Sequence, residues 1–283
     1  MPNTRCSISH NSLEDALAGV KIHLRLGVDL QVCHNQGITP SMVFVHGGTG
    51  NRFNFRVQYE FAQSQGWEVL AYDLGGHGQS SRYSRYSIGR HSRDLQRLLH
   101  HFGIHSPVLC CHSYGVPIGL EFAQHHPVSA IIAIAGGTHD LAPWWEIPLM
   151  KFMAGGGRYL YHLPGVQVLN NFLSTSYRHS VIEKFFAENP VPTDFDAYKG
   201  LEIFWNYNFF VRHPLPKNLH IPALVITAQK DRMFTRQMGD ELASHFDNST
   251  HIHFANAGHL VMAECAELVN QAIADWLNKQ VYN

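Results

Sequence analysis

The residues of this chain that could do covalent chemistry cluster at Cys111-His112-Ser113-Tyr114-Gly115. An apolar run, Pro107 to Cys110, precedes Ser113, and a helical pattern, Val116 to Ala123, follows it. A serine held where a buried strand turns abruptly into a helix has the layout of a nucleophile elbow. Such a turn needs small residues beside the serine. Gly115 supplies one, two positions on; Cys111 stands two positions before, where glycine is usual. The helix offers Gly115 and Gly119 for close approach, so Cys111 is read as a packing residue pointing into the core rather than as a nucleophile. His112 is read as packing too. Pro117 falls in the first helical turn, where proline is tolerated.

A serine hydroxyl is too weakly acidic to attack unaided and needs an adjacent base. Among 21 histidines, His259 is the best placed. Its loop, Asn256-Ala257-Gly258-His259, follows the last strand pattern and can lower the imidazole over a neighbouring strand end. A carboxylate should orient that imidazole and stabilise its charged form. Asp231, at the end of the preceding strand pattern, is the expected acid. Asp73 and Asp140 also follow strand patterns and are reserve candidates. The loop carrying Asp73, Gly75-Gly76-His77-Gly78, reads as structural, with glycines for tight turning. Taken singly, these are an ordinary turn serine, loop histidine and turn aspartate. Their occurrence in the order Ser, Asp, His, each after a buried strand, is what points to catalysis.

An acyl-transfer centre also needs two backbone N–H groups aimed at the developing oxyanion. Tyr114, next to the serine and at a helix N-terminus, supplies one. Gly48, in His46-Gly47-Gly48-Thr49-Gly50, supplies the other. That loop matches neither the Gly-x-Gly-x-x-Gly spacing nor the Gly-Lys-Ser/Thr ending of phosphate-binding loops.

The elements that must position these groups alternate. A hairpin is expected over Val20–Leu26 and Asp29–His34, followed by a break at Gly37–Pro40. Met42–Val45 is a short strand buried on both faces. A helix from about Phe53 to Gln65, the strand Trp67–Tyr72 and a helix from Ser87 to His101 lead to the elbow strand. After the elbow helix come the strands Ala130–Ala135 and Ile221–Ile226. A helix capped by Thr235, the strand Thr250–Ala255 and a last helix from Ala263 to Leu277 complete the pattern. Uniformly apolar strands alternating with helices mean an α/β fold, a mostly parallel central sheet flanked by helices. Ligands bind such sheets beyond the carboxyl ends of the strands, where Gly48, Asp73, Ser113 and Gly136-Gly137 all fall. From 138 to 216 the alternation stops, and roughly half of the chain's aromatic residues lie there. The reading is one discontinuous core, 1–137 and 217–283, with 138–216 inserted as a helical cap.

Composition narrows the function. The chain has 283 residues, 45% of them hydrophobic, and a formal net charge of -1. That is enough for one large domain with an insertion, and it argues against nucleic acid and anionic membrane surfaces as partners. No apolar run is long enough for a transmembrane segment, and Met1–His10 lacks the apolar core of a signal peptide. The cysteines Cys6, Cys33, Cys110, Cys111 and Cys265 have no framework spacing, which fits a reducing, cytoplasmic setting. His100-His101 and His125-His126 fall at helix ends, where histidine suits the helix dipole. No His-Glu-x-x-His or paired Cys-x-x-Cys spacing occurs, so no metal and no organic cofactor are expected.

Together, His46-Gly47-Gly48, Asp73-Leu74-Gly75-Gly76-His77-Gly78-Gln79-Ser80, His112-Ser113-Tyr114-Gly115, the Asp231 turn and Gly258-His259 resemble the α/β-hydrolase superfamily across nearly the whole chain. The stretches around Gly76-His77-Gly78, Ser113 and His259-Leu260-Val261-Met262 are similar to the vertebrate α/β-hydrolase domain-containing proteins. The resemblance implies nucleophile Ser113, base His259, acid Asp231 and oxyanion donors Gly48 and Tyr114. A serine at the elbow disfavours the haloalkane dehalogenase and epoxide hydrolase branches, which use aspartate there. The expected activity is hydrolysis of carboxylic esters carrying an apolar group, through an acyl-enzyme, on a small-molecule ester or other acyl substrate. Thioesterase, C–C hydrolase and acyltransferase chemistry on the same triad are the alternatives, with a non-catalytic small-molecule-binding module as the rival class. The sequence leaves the oligomeric state open.

Overall fold

The computed structural model describes residues 19–25, 27–83, 86–139, 206 and 209–281. Of the expected 138–216 cap, only 138–139, 206 and 209–216 are therefore described; Asp140 and Met1–His10 lie outside. Eight strands form one sheet: β1 (Val20–Arg25), β2 (Val28–Asn35), β3 (Ile38–Val45), β4 (Trp67–Tyr72), β5 (Val108–His112), β6 (Ala130–Ile134), β7 (Ala223–Ala228) and β8 (Ser249–Phe254). The described helices are α1 (Arg56–Ser64, after a 3₁₀ turn at Arg52–Phe55), α2 (Ile88–Phe102), α3 (Gly115–His125), α4 (Phe209–Arg212), α5 (Arg236–Ala243), α6 (Val261–Glu264) and α7 (Ala266–Val281).

The spatial order is β1-β2-β4-β3-β5-β6-β7-β8. β1–β2 and β2–β4 pair antiparallel, and every pair from β4 to β8 is parallel. The chain steps from β3 to β4 on one side, then crosses back to lay β5 on the other. The carboxyl ends of β3 and β5 thus lie side by side where the winding reverses, and connections leaving in opposite directions open a crevice there. The Gly48 loop and Ser113 both start at that point.

Alternation along each strand divides the core between two faces. Val43, Val45, Leu109, Cys111, Ile131 and Val225 face Leu95, Leu98, Ile118 and Phe122 of α2 and α3. Met42, Phe44, Val108, Cys110, Ile132 and Leu224 face Phe55, Tyr59, Val269, Ile273 and Trp276, around α1 and α7. Local signals set the helix ends. The Ser87 and Thr235 side chains accept from the N–H groups of Arg90 and Met238, and Gly103 closes α2 at φ 68°.

The strands differ from expectation in places with clear causes. Pro40 does not break the chain, because β3 runs through it. The β3–β4 register jumps from Ile38–Trp67 to Ser41–Glu68, so Pro40 sits in an irregularity where its missing N–H interrupts no ladder. β7 starts at Ala223 rather than Ile221, after Pro222, which has no amide to donate. The last helix is two, α6 and α7, separated at Cys265.

Leu109 is fully buried at the centre of the sheet. Leu109→Ala should remove roughly 2–5 kcal/mol of stability, seen as a lower urea midpoint with an unchanged denaturant slope. An unshifted midpoint would contradict this account of the core.

Candidate active site

Three strand ends bring Ser113, Asp231 and His259 together. Ser113 follows β5 at φ 49°, a left-handed conformation unusual outside glycine. The turn is held from both sides: the Ser113 N–H donates to the Ile134 carbonyl at 2.9 Å, and the Ser113 carbonyl accepts from Val116 at 2.9 Å. Close approach of α3 makes the turn compact. A β-carbon at Gly115 would stand 2.1 Å from the Val45 carbonyl oxygen, and one at Gly136 would stand 2.7 Å from the Ser113 carbonyl oxygen. Cys111 packs as expected, its sulfur lying 2.5 Å from where a β-carbon of Gly119 would be. Burial pushes its thiol well above the usual range, so no thiolate competes with Ser113.

His259 lies between the other two. Its Nδ1 is 2.9 Å from Asp231 Oδ2, and its Nε2 is 3.0 Å from Ser113 Oγ. A carboxylate only accepts, so Nδ1 carries the proton and Nε2 is left to accept from the Ser113 hydroxyl. The second oxygen of Asp231, Oδ1, accepts from the backbone N–H groups of Met233 (2.8 Å) and Phe234 (3.1 Å). With its side chain fully buried, this carboxylate has one orientation to offer. The Phe234 ring stacks on the imidazole, 6.0 Å between centroids. The loop carrying His259 is pinned in turn: Ala257 accepts from Lys230 at 2.9 Å, and the Gly258 N–H donates to Glu264 at 2.9 Å.

The two expected oxyanion donors lie on the two sides of the crevice. The Gly48 loop rests on the elbow, since a β-carbon at Gly47 would meet the Ser113 β-carbon at 3.1 Å. Its turn is closed by Gly50 donating to the Gly47 carbonyl at 3.2 Å, with Thr49 at φ 65°. The Gly48 N–H has no acceptor among the described residues. His46 ties this loop to the next. Its Nδ1 donates to the Gly47 carbonyl at 2.7 Å and its Nε2 accepts from the Leu74 N–H at 2.9 Å, which sets a neutral tautomer. Tyr114 caps α3 and is fully buried. Asn206 donates to its hydroxyl at 3.3 Å and to the Tyr86 carbonyl at 3.0 Å.

Asp73 does not reach His259. Its oxygens take Arg52 Nη1 at 2.6 Å, the Arg52 N–H at 2.8 Å and the Gln79 N–H at 2.8 Å. A β-carbon at Gly78 would stand 2.1 Å from Asp73 Oδ2, so the glycine-rich loop closes tightly around this carboxylate. Asp73 and Arg52 are both buried. Their ion pair ties the end of β4 to the turn that follows the Gly48 loop, so Asp73, a reserve candidate for the acid, holds Arg52 instead.

His112 does more than pack. Its Nε2–H donates to the His259 carbonyl at 3.0 Å, and its ring tilts against the His259 ring, 4.9 Å between centroids. Burial holds its basicity well below the usual histidine value of 6.5, with His259 and His46 beside it adding to the effect. The sequence carries one signal of this: a polar residue ends an otherwise apolar strand. Other histidines pair elsewhere, as with His34 on Glu68 and with His251 and His253 on Thr227. Among the described residues no three His, Cys, Asp or Glu side chains converge to hold a metal.

The sequence model of a family described as "alpha/beta hydrolase fold" matches residues 40–264. Human Protein ABHD8 is 30% identical over 124 residues, 41% of this chain and 28% of that protein. The chain thus spans little more than a quarter of that relative's length. Mouse Epoxide hydrolase 3 is 24% identical over 250 residues, 81% of this chain and 65% of that protein. Among solved structures, the esterase EaEST from Exiguobacterium antarcticum superposes with a TM-score of 0.75 at 17% identity, covering 92% of this chain and 99% of that one.

The two aspartates should separate on mutation. Asp231→Asn is expected to slow any reaction through Ser113 by roughly 10⁴-fold, since the imidazole loses the partner that sets its tautomer. Asp73→Asn should leave the turnover of folded protein within about tenfold while removing roughly 3–5 kcal/mol of stability, because Arg52 is left uncompensated. The reverse pattern in kcat and urea midpoint would exchange their roles. A pH effect comes from His112. The unfolded chain binds a proton at this residue near 6.5 and the folded chain does not, so stability is full above that pH and declines below it. The decline in urea midpoint on acidification should be shallower in His112→Gln; an equal slope would contradict the buried neutral imidazole.

Proposed function

The chain belongs to the α/β-hydrolase fold family, and on that premise we propose that it is a serine hydrolase cleaving carboxylic esters that carry an apolar group. The observation that carries this reading is the bridging of Ser113 Oγ and Asp231 Oδ2 by one imidazole, at 3.0 and 2.9 Å. In the proposed cycle Ser113 Oγ attacks the ester carbonyl carbon as His259 Nε2 takes its proton. The carbonyl oxygen becomes an oxyanion held by the N–H groups of Gly48 and Tyr114. Collapse breaks the C–O bond, and His259 returns the proton to the departing alcohol. Water, deprotonated by the same imidazole, then attacks the acyl-enzyme and releases the acid. Asp231 stays ionised and steadies the imidazolium.

The name of the mouse relative points to a different reaction, but this chain offers a hydroxyl at the elbow, and that favours acyl transfer. The aromatic content of the proposed 138–216 cap supports an apolar acyl or alcohol group. The four cysteines among the described residues, Cys33, Cys110, Cys111 and Cys265, are free, which supports a cytoplasmic setting. No helix among the described residues is long and apolar enough to cross a membrane.

A fluorophosphonate probe should label the protein at Ser113 alone. Ser113→Ala should abolish labelling and cut p-nitrophenyl ester turnover by roughly 10⁴-fold or more without loss of fold. A folded protein that takes no label would favour a non-catalytic binding module. Faster turnover of thioesters or diketones than of esters would move the activity to the corresponding hydrolase class.

A further inference from the structure

We propose that His112 is a positioning residue: its imidazole joins the backbone of the base, His259, to the elbow and fills the space beneath the Gly47–Gly48 loop. The inference rests on the Ser113–His259–Asp231 reading and assigns to this triad a fourth side chain that touches no substrate.

The geometry is specific to this position. The backbone of the base-carrying loop is anchored residue by residue. Ala257 is held by the Lys230 N–H, Gly258 by Glu264, and Leu260 by the N–H groups of Ala263 and Glu264. The carbonyl of His259 itself is held by His112 Nε2, 3.0 Å away and 147 residues distant in sequence. On the other side of the ring, a β-carbon at Gly47 would stand 2.8 Å from His112 Nδ1. One imidazole thus contacts the oxyanion loop and the base loop and immediately precedes the nucleophile. Phe55 meets it edge-on at 6.4 Å between centroids, and the residue is buried.

Packing alone does not call for histidine here. The other residues of β5, Val108, Leu109, Cys110 and Cys111, are all apolar and fully buried. A buried imidazole must find a hydrogen-bond partner or lose stability, and the partner it finds is the carbonyl of the catalytic base. Triad geometry tolerates little error, because a displacement of about 1 Å in a reacting group can lower the rate by around 100-fold. Side chains that lock such groups in place are therefore part of what a working site requires.

The test compares wild type, His112→Gln, His112→Phe and His112→Met by initial rate of fluorophosphonate labelling and by kcat and KM on a p-nitrophenyl ester, below the melting temperature of each. Glutamine can place an amide N–H where Nε2 lies; phenylalanine and methionine fill the space without a donor. The expected result is a fall of roughly 10- to 100-fold in kcat and labelling rate for the apolar variants, KM within about threefold, and recovery of most of the rate with glutamine. Methionine, unbranched and adaptable, keeps the comparison open if the phenylalanine protein does not fold. A labelled wild type with undiminished rates in the apolar variants overturns this inference alone. So does a glutamine variant as slow as the methionine one, the mark of a packing role. An unlabelled wild type overturns the triad reading and this inference with it.

Discussion

Helix α3 begins in contact with the end of β3, and the site depends on that contact. Gly115 leaves no room for a side chain against the Val45 carbonyl. Its absence of a β-carbon lets the chain turn from β5 into α3 within two residues. The turn forces Ser113 into a left-handed conformation, and the hydrogen bonds to Ile134 and from Val116 stabilise it there. Strain of this kind persists only where the surroundings over-determine it. Here the surroundings are the central strands, which bury apolar side chains on both sides of the sheet. The apolar core therefore supplies the rigidity that presents one hydroxyl to the crevice.

Around that turn the loops are joined by polar contacts rather than by regular structure. His46 links the Gly48 loop to the loop after β4. The Arg52–Asp73 pair links the same two regions from below. His112 reaches the base loop from the elbow strand. Each link satisfies groups that burial would otherwise leave unpaired, and an unpaired buried group is costly. The loops thus share a small set of arrangements in which all partners are met at once. This gives a physical basis for preorganisation: Gly48, Ser113 and His259 are carried by separate loops, and each loop is held by buried hydrogen bonds.

Much of the fold was legible in the sequence because its signals are local. The apolar runs of β4 to β7 and the caps at Ser87 and Thr235 are statements about neighbouring residues, and the structure follows them to within a residue or two, whereas β3 starts four residues before its expected Met42. Pro40 was misread for the same reason. Its meaning depends on how β3 aligns with β4, where a register irregularity removes the need for its amide. At the site, Ser113 and Asp231 could be singled out because each follows an apolar strand, and His259 because its Gly258-His259 loop follows the last strand pattern, although that strand, β8, carries His251 and His253 and is only partly buried. The use of Asp73 could not, since its partner Arg52 lies in a different loop, in a stretch without periodic pattern. His112 was legible only as an anomaly, a polar side chain ending a buried strand.

By itself, the sequence determined the alternation of strands and helices, the parallel sheet covered on both faces, and the short list of groups able to attack, accept a proton and donate to an oxyanion. These follow from side-chain type, periodicity and turn chemistry, which act over a few residues. Only the tertiary structure decided which of those groups meet. Asp231 faces His259 because β7 lies beside β8, while Asp73 ends β4, across β3, β5 and β6 from them. Strand order is set by how whole faces are buried, so a carboxylate's partner is chosen by the packing of the sheet and not by anything near it in the chain.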